Sequence, residues 1–257
     1  MSVITQVRLD LGCLQPTSVS KLTTGKDDFA TYAAQDMALV HNTLVRCWNS
    51  IYKQAPHVVE KDYPDFIVYA LTWHRIVEIH HDGEEQDLYP KMEKFMAKPG
   101  FFSAAVDEHK AFHDGLDRYK AYLVESKAKP SEFSGKKLVE IMDSFGEALF
   151  THLNAEPTLL LTIQGFDDVA LRKIWDDHVK MVLGGASPIT EIPIVWVNCD
   201  STFEDGKWAH FPPMPAPVKF VMRHVAARWH NQYWRFGSTT YGGQPQVPLA
   251  LREGYGK

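Results

Sequence analysis

Cysteine, net charge and long apolar runs are all scarce in this chain, and each scarcity closes off a class of protein. Only three cysteines occur in 257 residues, Cys13, Cys47 and Cys199, odd in number and far apart. That excludes a disulfide scaffold and a cysteine-based zinc site, and it fits a reducing compartment. The 27 basic and 32 acidic residues leave a net charge of −5, which does not point to nucleic acid or an anionic membrane as partner. No stretch approaches the roughly 20 apolar residues of a membrane span. The opening MSVITQVRLDLG has no basic region followed by an apolar run, so no secretory signal is expected and the cytoplasm is the expected location. Internal repeats, low-complexity tracts, a phosphate-cradling glycine loop and a Ser/His/Asp arrangement at motif spacing are also missing.

What remains is an ordinary globular composition, 45% apolar and 23% charged, in a chain long enough for one large core with a substantial appendage. Four segments carry a 3.6-residue period. Met37, His41, Leu44, Val45, Trp48 and Ile51 share a face of the first, which Pro56 closes. Phe66, Tyr69, Trp73, Ile76, His80 and Glu84 line the second, which begins near Pro64 and is disturbed by Pro90. The third opens after Pro99-Gly100 with Phe102, Val106, His109, His113, Leu116 and Leu123. The fourth runs from about Ser131 with Leu138, Ile141, Phe145, Ala148, His152, Glu156 and Leu159.

Short connections between these segments predict an all-α, up-down-up-down four-helix bundle. A fifth helix is expected after Gly165, with Asp167 and Asp168 near its start and Gly184-Gly185 at its stop. Residues 1–185 form the bundle domain in this scheme. Residues 186–257 form an irregular C-terminal extension packed on it, with many prolines, a β-like run IPIVWVN, and RHVAARWHNQYWRFG as one more helix.

The chemistry sits on the apolar stripes. His41, His80, Glu84, His109, His113, His152 and Glu156 all fall there, and three of the groups place two ligand-type residues one helical turn apart. Buried charges need a partner or a metal, and imidazole with carboxylate is the ligand chemistry of non-haem iron. His81 and Glu85 form a second pair about 100° round the same helix. The Phe66–Trp73–Ile76 stripe selects His80 and Glu84, leaving His81 and His74 on a flank. Glu108, Glu147 and Asp82 read as exposed charges. His57 and His178 read as structural or solvated, and His210, His224 and His230 as part of an aromatic wrap with Trp208, Trp229, Tyr233 and Trp234.

HHDGEEQDLYP, HKAFHDGL and HLNAE, together with the lone His41, resemble the hemerythrin family and its HHE cation-binding relatives over roughly residues 30–162. The resemblance implies a di-iron centre, oxo- or hydroxo-bridged, with His109, His113 and His152 on one iron and His41 and His80 on the other. Glu84 and Glu156 would bridge, and the two-histidine iron would take O2. One departure matters: oxygen carriers of the family place an aspartate five residues after the fourth-helix histidine, whereas Glu156 stands four after His152. Carrier function is therefore not inherited from the resemblance. Manganese or a mixed-metal pair is also compatible with these ligands.

The functional expectation is a non-haem di-iron oxidoreductase that binds and activates O2 and acts on a small molecule or on a reactive oxygen or nitrogen species. The alternative is reversible O2 storage, or iron or oxygen sensing, without turnover. Neither nucleic acid nor membrane is expected as a partner.

Overall fold

A computed structural model describes residues 11–256. The first ten residues, which the sequence reading assigns to the bundle domain and which carry the segment read as lacking a signal, lie outside the described residues.

Helix α1 spans Phe29–Gln54. Asp28 caps it by accepting from the Thr31 amide, and the chain turns out of it at Ala55–His57, where Pro56 has no amide to donate. Helix α2, Tyr63–Gly83, begins with Pro64 in its first turn, where a missing N–H costs nothing. It continues through a π-helical turn, Glu84–Leu88, into α3, Tyr89–Met96. Helix α4 spans Ser103–Ala128. The expected fourth helix is two pieces, α5 (Gly135–Asp143) and α6 (Gly146–Leu160), joined at Ser144–Phe145. At that break the Phe145 side chain packs onto Gly115 of α4, where any Cβ would lie 2.3 Å from Phe145 Cβ.

The long helices form a square. Helix α1 packs against α2 and α6, and α4 packs against the same two. This is the all-α bundle that the four periodic segments predict. Helix α7, Asp168–Gly185, is capped by Asp167 and lies across α1, α2 and α3. No helix among the described residues is long and apolar enough to cross a membrane.

The segment after α7 departs from one expectation. IPIVWVN is no strand: Glu191–Trp196 forms a short helix, α8. Pro193 fits the first turn of a helix, and the turn buries Ile194 completely in the main core, so packing overrides the β-propensity of Ile and Val. RHVAARWHNQYWRFG likewise breaks into short helical turns, with His230 at φ −120°, ψ 48° between Ala227–Trp229 and Asn231–Trp234.

Several hydrogen bonds tie this extension to the bundle. Gln54 donates to the Phe236 carbonyl and accepts from the Ala250 amide. Arg235 donates to Asp62 and Asp65 at the start of α2, at 2.8 and 3.0 Å. Trp234, Phe236 and Ala250 are buried in the same core as Trp48 and Trp73. The aromatic wrap is divided, because Trp208 and Trp234 are buried while Trp229 is 69% exposed.

Candidate metal centre

Two groups of side chains meet in the middle of the square: His41, His80, Glu84 and Glu156 in one, His81, Glu84, His109 and His152 in the other. Within each group the ligand atoms lie within 4.8 Å of one another, and Glu84 belongs to both. Six of the seven residues singled out in the sequence are brought together. The seventh, His113, is not: its side chain is 70% exposed and sits 3.4 Å from Asp117 on the outside of α4.

Helix phase explains the miss. The buried stripe of α4 runs through Ala105, His109, Phe112, Leu116, Tyr119 and Leu123. At about 100° per residue that stripe centres to one side of His109, while His113 steps some 40° to the other side. His81 enters in its place, its ring 4.5 Å from the His109 ring and 5.1 Å from the His152 ring. The choice between the two registers of HHDGEE is thus resolved by both histidines. Glu84 lies about 40° round the helix from His80 and about 60° from His81, so a face centred on Glu84 carries one histidine on each flank.

The π-turn adds a further group. Pro90 cannot donate to the carbonyl four residues back, and its ring crowds that carbonyl. The chain widens there, with the Tyr89 amide bonding the Glu84 carbonyl five residues earlier. Tyr89 therefore faces the centre, and its hydroxyl donates to Glu156 Oε1 at 2.6 Å. Its ring lies flat on Phe102 at 4.2 Å.

Three of the five inward histidines, His41, His109 and His152, are set by a hydrogen bond on the far side of the ring. His109 Nδ1 donates to Glu85 Oε1 at 2.7 Å, and His152 Nδ1 donates to Glu108 Oε2 at 3.1 Å. His41 Nδ1 donates to the Leu153 carbonyl at 2.8 Å. That carbonyl is available because the residue four places on is Pro157, inside α6, which has no N–H to bond it. Glu85 and Glu108 were not identified as functional from the sequence, Glu108 being read as an exposed charge. Their role depends on which helix stands opposite, which spacing along one helix does not reveal.

With those protons on Nδ1, the Nε2 lone pairs of neutral His109 and His152 point at each other 3.0 Å apart. A proton between them is disfavoured. Burial, then the neighbouring His109 and His41, pushes His152 down to about 2. Burial and the adjacent imidazoles also hold His80 and His81 well below the ordinary histidine value. Burial and the Glu156 charge push Glu84 well above the usual carboxylate range. Burial also pushes Glu156 upward, but His41 and His80 outweigh it and hold that carboxyl low.

Both ring nitrogens of His81, both oxygens of Glu84 and Oε2 of Glu156 are buried with no hydrogen-bond partner among the described residues. Converging lone pairs and orphaned carboxylate oxygens are what a cation satisfies. Metal–nitrogen bonds of about 2.1 Å meeting at a right angle leave two nitrogens roughly 3.0 Å apart. The donor set fits a metal.

Two further histidines are buried outside the centre. His74 is buried and stacks on Tyr119. His178 is buried on α7, with Nδ1 donating to Asp87 at 3.0 Å.

Fold and centre together define a helical bundle with an imidazole- and carboxylate-lined cation site. Residues 34–163 match the model of the hemerythrin HHE cation-binding domain, and the chain belongs to that family. It is also 31% identical over 224 residues to "Dimeric xanthone biosynthesis cluster protein R11" of Cryptosporiopsis sp. (strain 8999), covering 87% of this chain and 84% of the relative. No solved structure matches the chain.

Proposed function

We propose that this centre holds two iron ions and that the protein is an oxidoreductase that activates O2 toward a small organic molecule. The observation that carries the reading is the pair of adjoining ligand groups sharing Glu84, joined to a cavity of about 250 Å³ whose lining includes His80 and Glu84. When bound, such a pair of ions supplies two electrons to O2. His41, His80, His81, His109 and His152 hold the ions as neutral ligands, and Glu84 and Glu156 compensate their charge. Tyr89 holds a proton on a hydroxyl oxygen 2.6 Å from Glu156 Oε1, a phenol placed to return one to that carboxylate. Glu85 and Glu108 keep the His109 and His152 rings oriented and strengthen them as donors.

A storage protein has no need of a side cavity walled by an additional helix. The relative's name refers to a biosynthesis cluster, which supports a small-molecule substrate. The buried thiols Cys47 and Cys199 suit a reducing, cytoplasmic setting.

Stopped-flow mixing of the anaerobic iron-loaded protein with O2 tests the proposal. Rapid oxidation of the iron that accelerates with an organic co-substrate is expected. A long-lived coloured adduct that releases O2 on evacuation would show a reversible O2 binder instead.

A further inference from the structure

The cavity beside the centre lies between α1, α2, α7 and the segment that follows α7. Its walls are mainly aliphatic and aromatic, including Met37, Val40, Ile76, Val179, Val182 and Met214. At about 250 Å³ it falls just under the roughly 300–1,000 Å³ typical of small-ligand pockets, so its occupant is small.

The polar groups in that wall are unequal in kind. Their donors are already used: the Tyr32 hydroxyl donates to Asp176 at 3.2 Å, and the Thr43 hydroxyl donates to the Leu39 carbonyl at 3.3 Å. The acceptors are not. Trp175 Nε1 donates to Asp36 Oδ2 at 3.0 Å and fixes the carboxylate, while no described residue donates to Oδ1. Burial and the nearby Asp176 charge raise the Asp36 carboxyl above its ordinary value, as expected of a carboxylate short of donors. His178 is fixed in the same manner, with Nδ1 donating to Asp87, which makes its Nε2 an acceptor. Gly83 gives that ring its room, since a Cβ there would lie 3.1 Å from His178 Cε1. A molecule filling this space brings an apolar body and supplies the hydrogen-bond donor itself.

We infer that the cavity is the organic-substrate site, that it selects a small, largely apolar molecule carrying a hydroxyl group, and that Asp36 is the residue that reads that hydroxyl. Asp36 lies five residues before His41 on α1, roughly 7.5 Å along the helix axis, so the bound molecule spans from the hydroxyl anchor toward the centre. The inference rests on the proposed oxidoreductase reading, but its test does not use turnover.

Metal-free protein is titrated with 2-naphthol and with 2-methoxynaphthalene by calorimetry. A hydrogen bond to a charged acceptor predicts at least about tenfold tighter binding of the naphthol. Asp36→Asn retains a carbonyl oxygen for Trp175 but turns an amide donor to the cavity, so the preference disappears or reverses. Val182→Trp fills the space and abolishes binding of both probes. Equal affinity for the two probes in the wild type overturns the inference, as does an unchanged preference in Asp36→Asn or undiminished binding in Val182→Trp. Those outcomes leave the O2 reaction of the iron-loaded protein untouched. Failure of that reaction, with discriminating probe binding intact, would instead remove the oxidoreductase reading alone.

Discussion

The His81 ring packs 4.5 Å from the ring of His109, in the place that the HxxxH spacing assigns to His113. Exchanging one histidine for the other changes which substitutions remove a ligand. His81→Leu is expected to lower metal content by about one ion per chain, and His113→Leu to leave it at the wild-type value. Elemental analysis after reconstitution decides between them. Loss of metal in His113→Leu with retention in His81→Leu would show the ligand set to be misassigned.

Much of this was legible in the sequence because it depends on helix period alone. The four helices, their Pro and Asp boundaries, and six inward side chains follow from apolar stripes and from residues one turn apart. His113 was misplaced because a 40° step from His109 is still "the same face" on paper, while the packed face of α4 is centred on the opposite side of His109. The pairing of Glu85 and Glu108 with histidines on facing helices depends on three-dimensional neighbours. So does the folding of IPIVWVN as a helix, where burial of Ile194 outweighs local preference. One missed signal was present in the sequence: a proline following HLNAE frees the carbonyl four residues earlier, and that carbonyl orients His41.

Pro157→Ala tests that last point. The new N–H recaptures the Leu153 carbonyl within α6, so the helix gains stability while His41 loses its orienting acceptor. Outer hydrogen-bond partners of metal ligands commonly contribute 10–100-fold to affinity, and a loss within about that range is expected. Competition with a chelator measures it. Unchanged affinity would mean that His41 needs no such anchor.

Acid stability of the metal-free protein follows from the buried imidazoles. Folded His80, His81 and His152 are held below the ordinary histidine value of 6.5, whereas their unfolded counterparts take up protons near it. Below that pH the three histidines bind more protons in the unfolded chain, which outweighs the single proton that the raised Glu84 carboxyl retains in the folded one, so stability falls as pH falls. The upper limit is about 1.4 kcal/mol per pH unit for each histidine. Urea unfolding between about pH 8 and pH 5 reads the slope. It should shrink in His81→Leu. Stability that rises toward acid pH would contradict the burial.

The extension is anchored at Asp62, which accepts from Arg235 at 2.8 Å and from Tyr255 at 2.7 Å. Burial raises its carboxyl, but those two partners outweigh it and hold it below the ordinary 3.8. Its contribution is present above that value and lost as pH falls through the depressed one. Asp62→Asn is expected to cost about 1.5–3 kcal/mol and to speed proteolysis after α7, with metal content unchanged. Limited proteolysis with mass analysis checks it; cleavage no faster than in wild type would show that the anchor is not needed.

The central claim is that two cations share Glu84 between His41/His80 and His81/His109/His152. Anomalous diffraction at the iron edge from reconstituted crystals tests it most directly. Two peaks flanking Glu84 are predicted, one beside His41 and His80 and one beside His81, His109 and His152. A peak at His113, or none between these rings, would contradict the account.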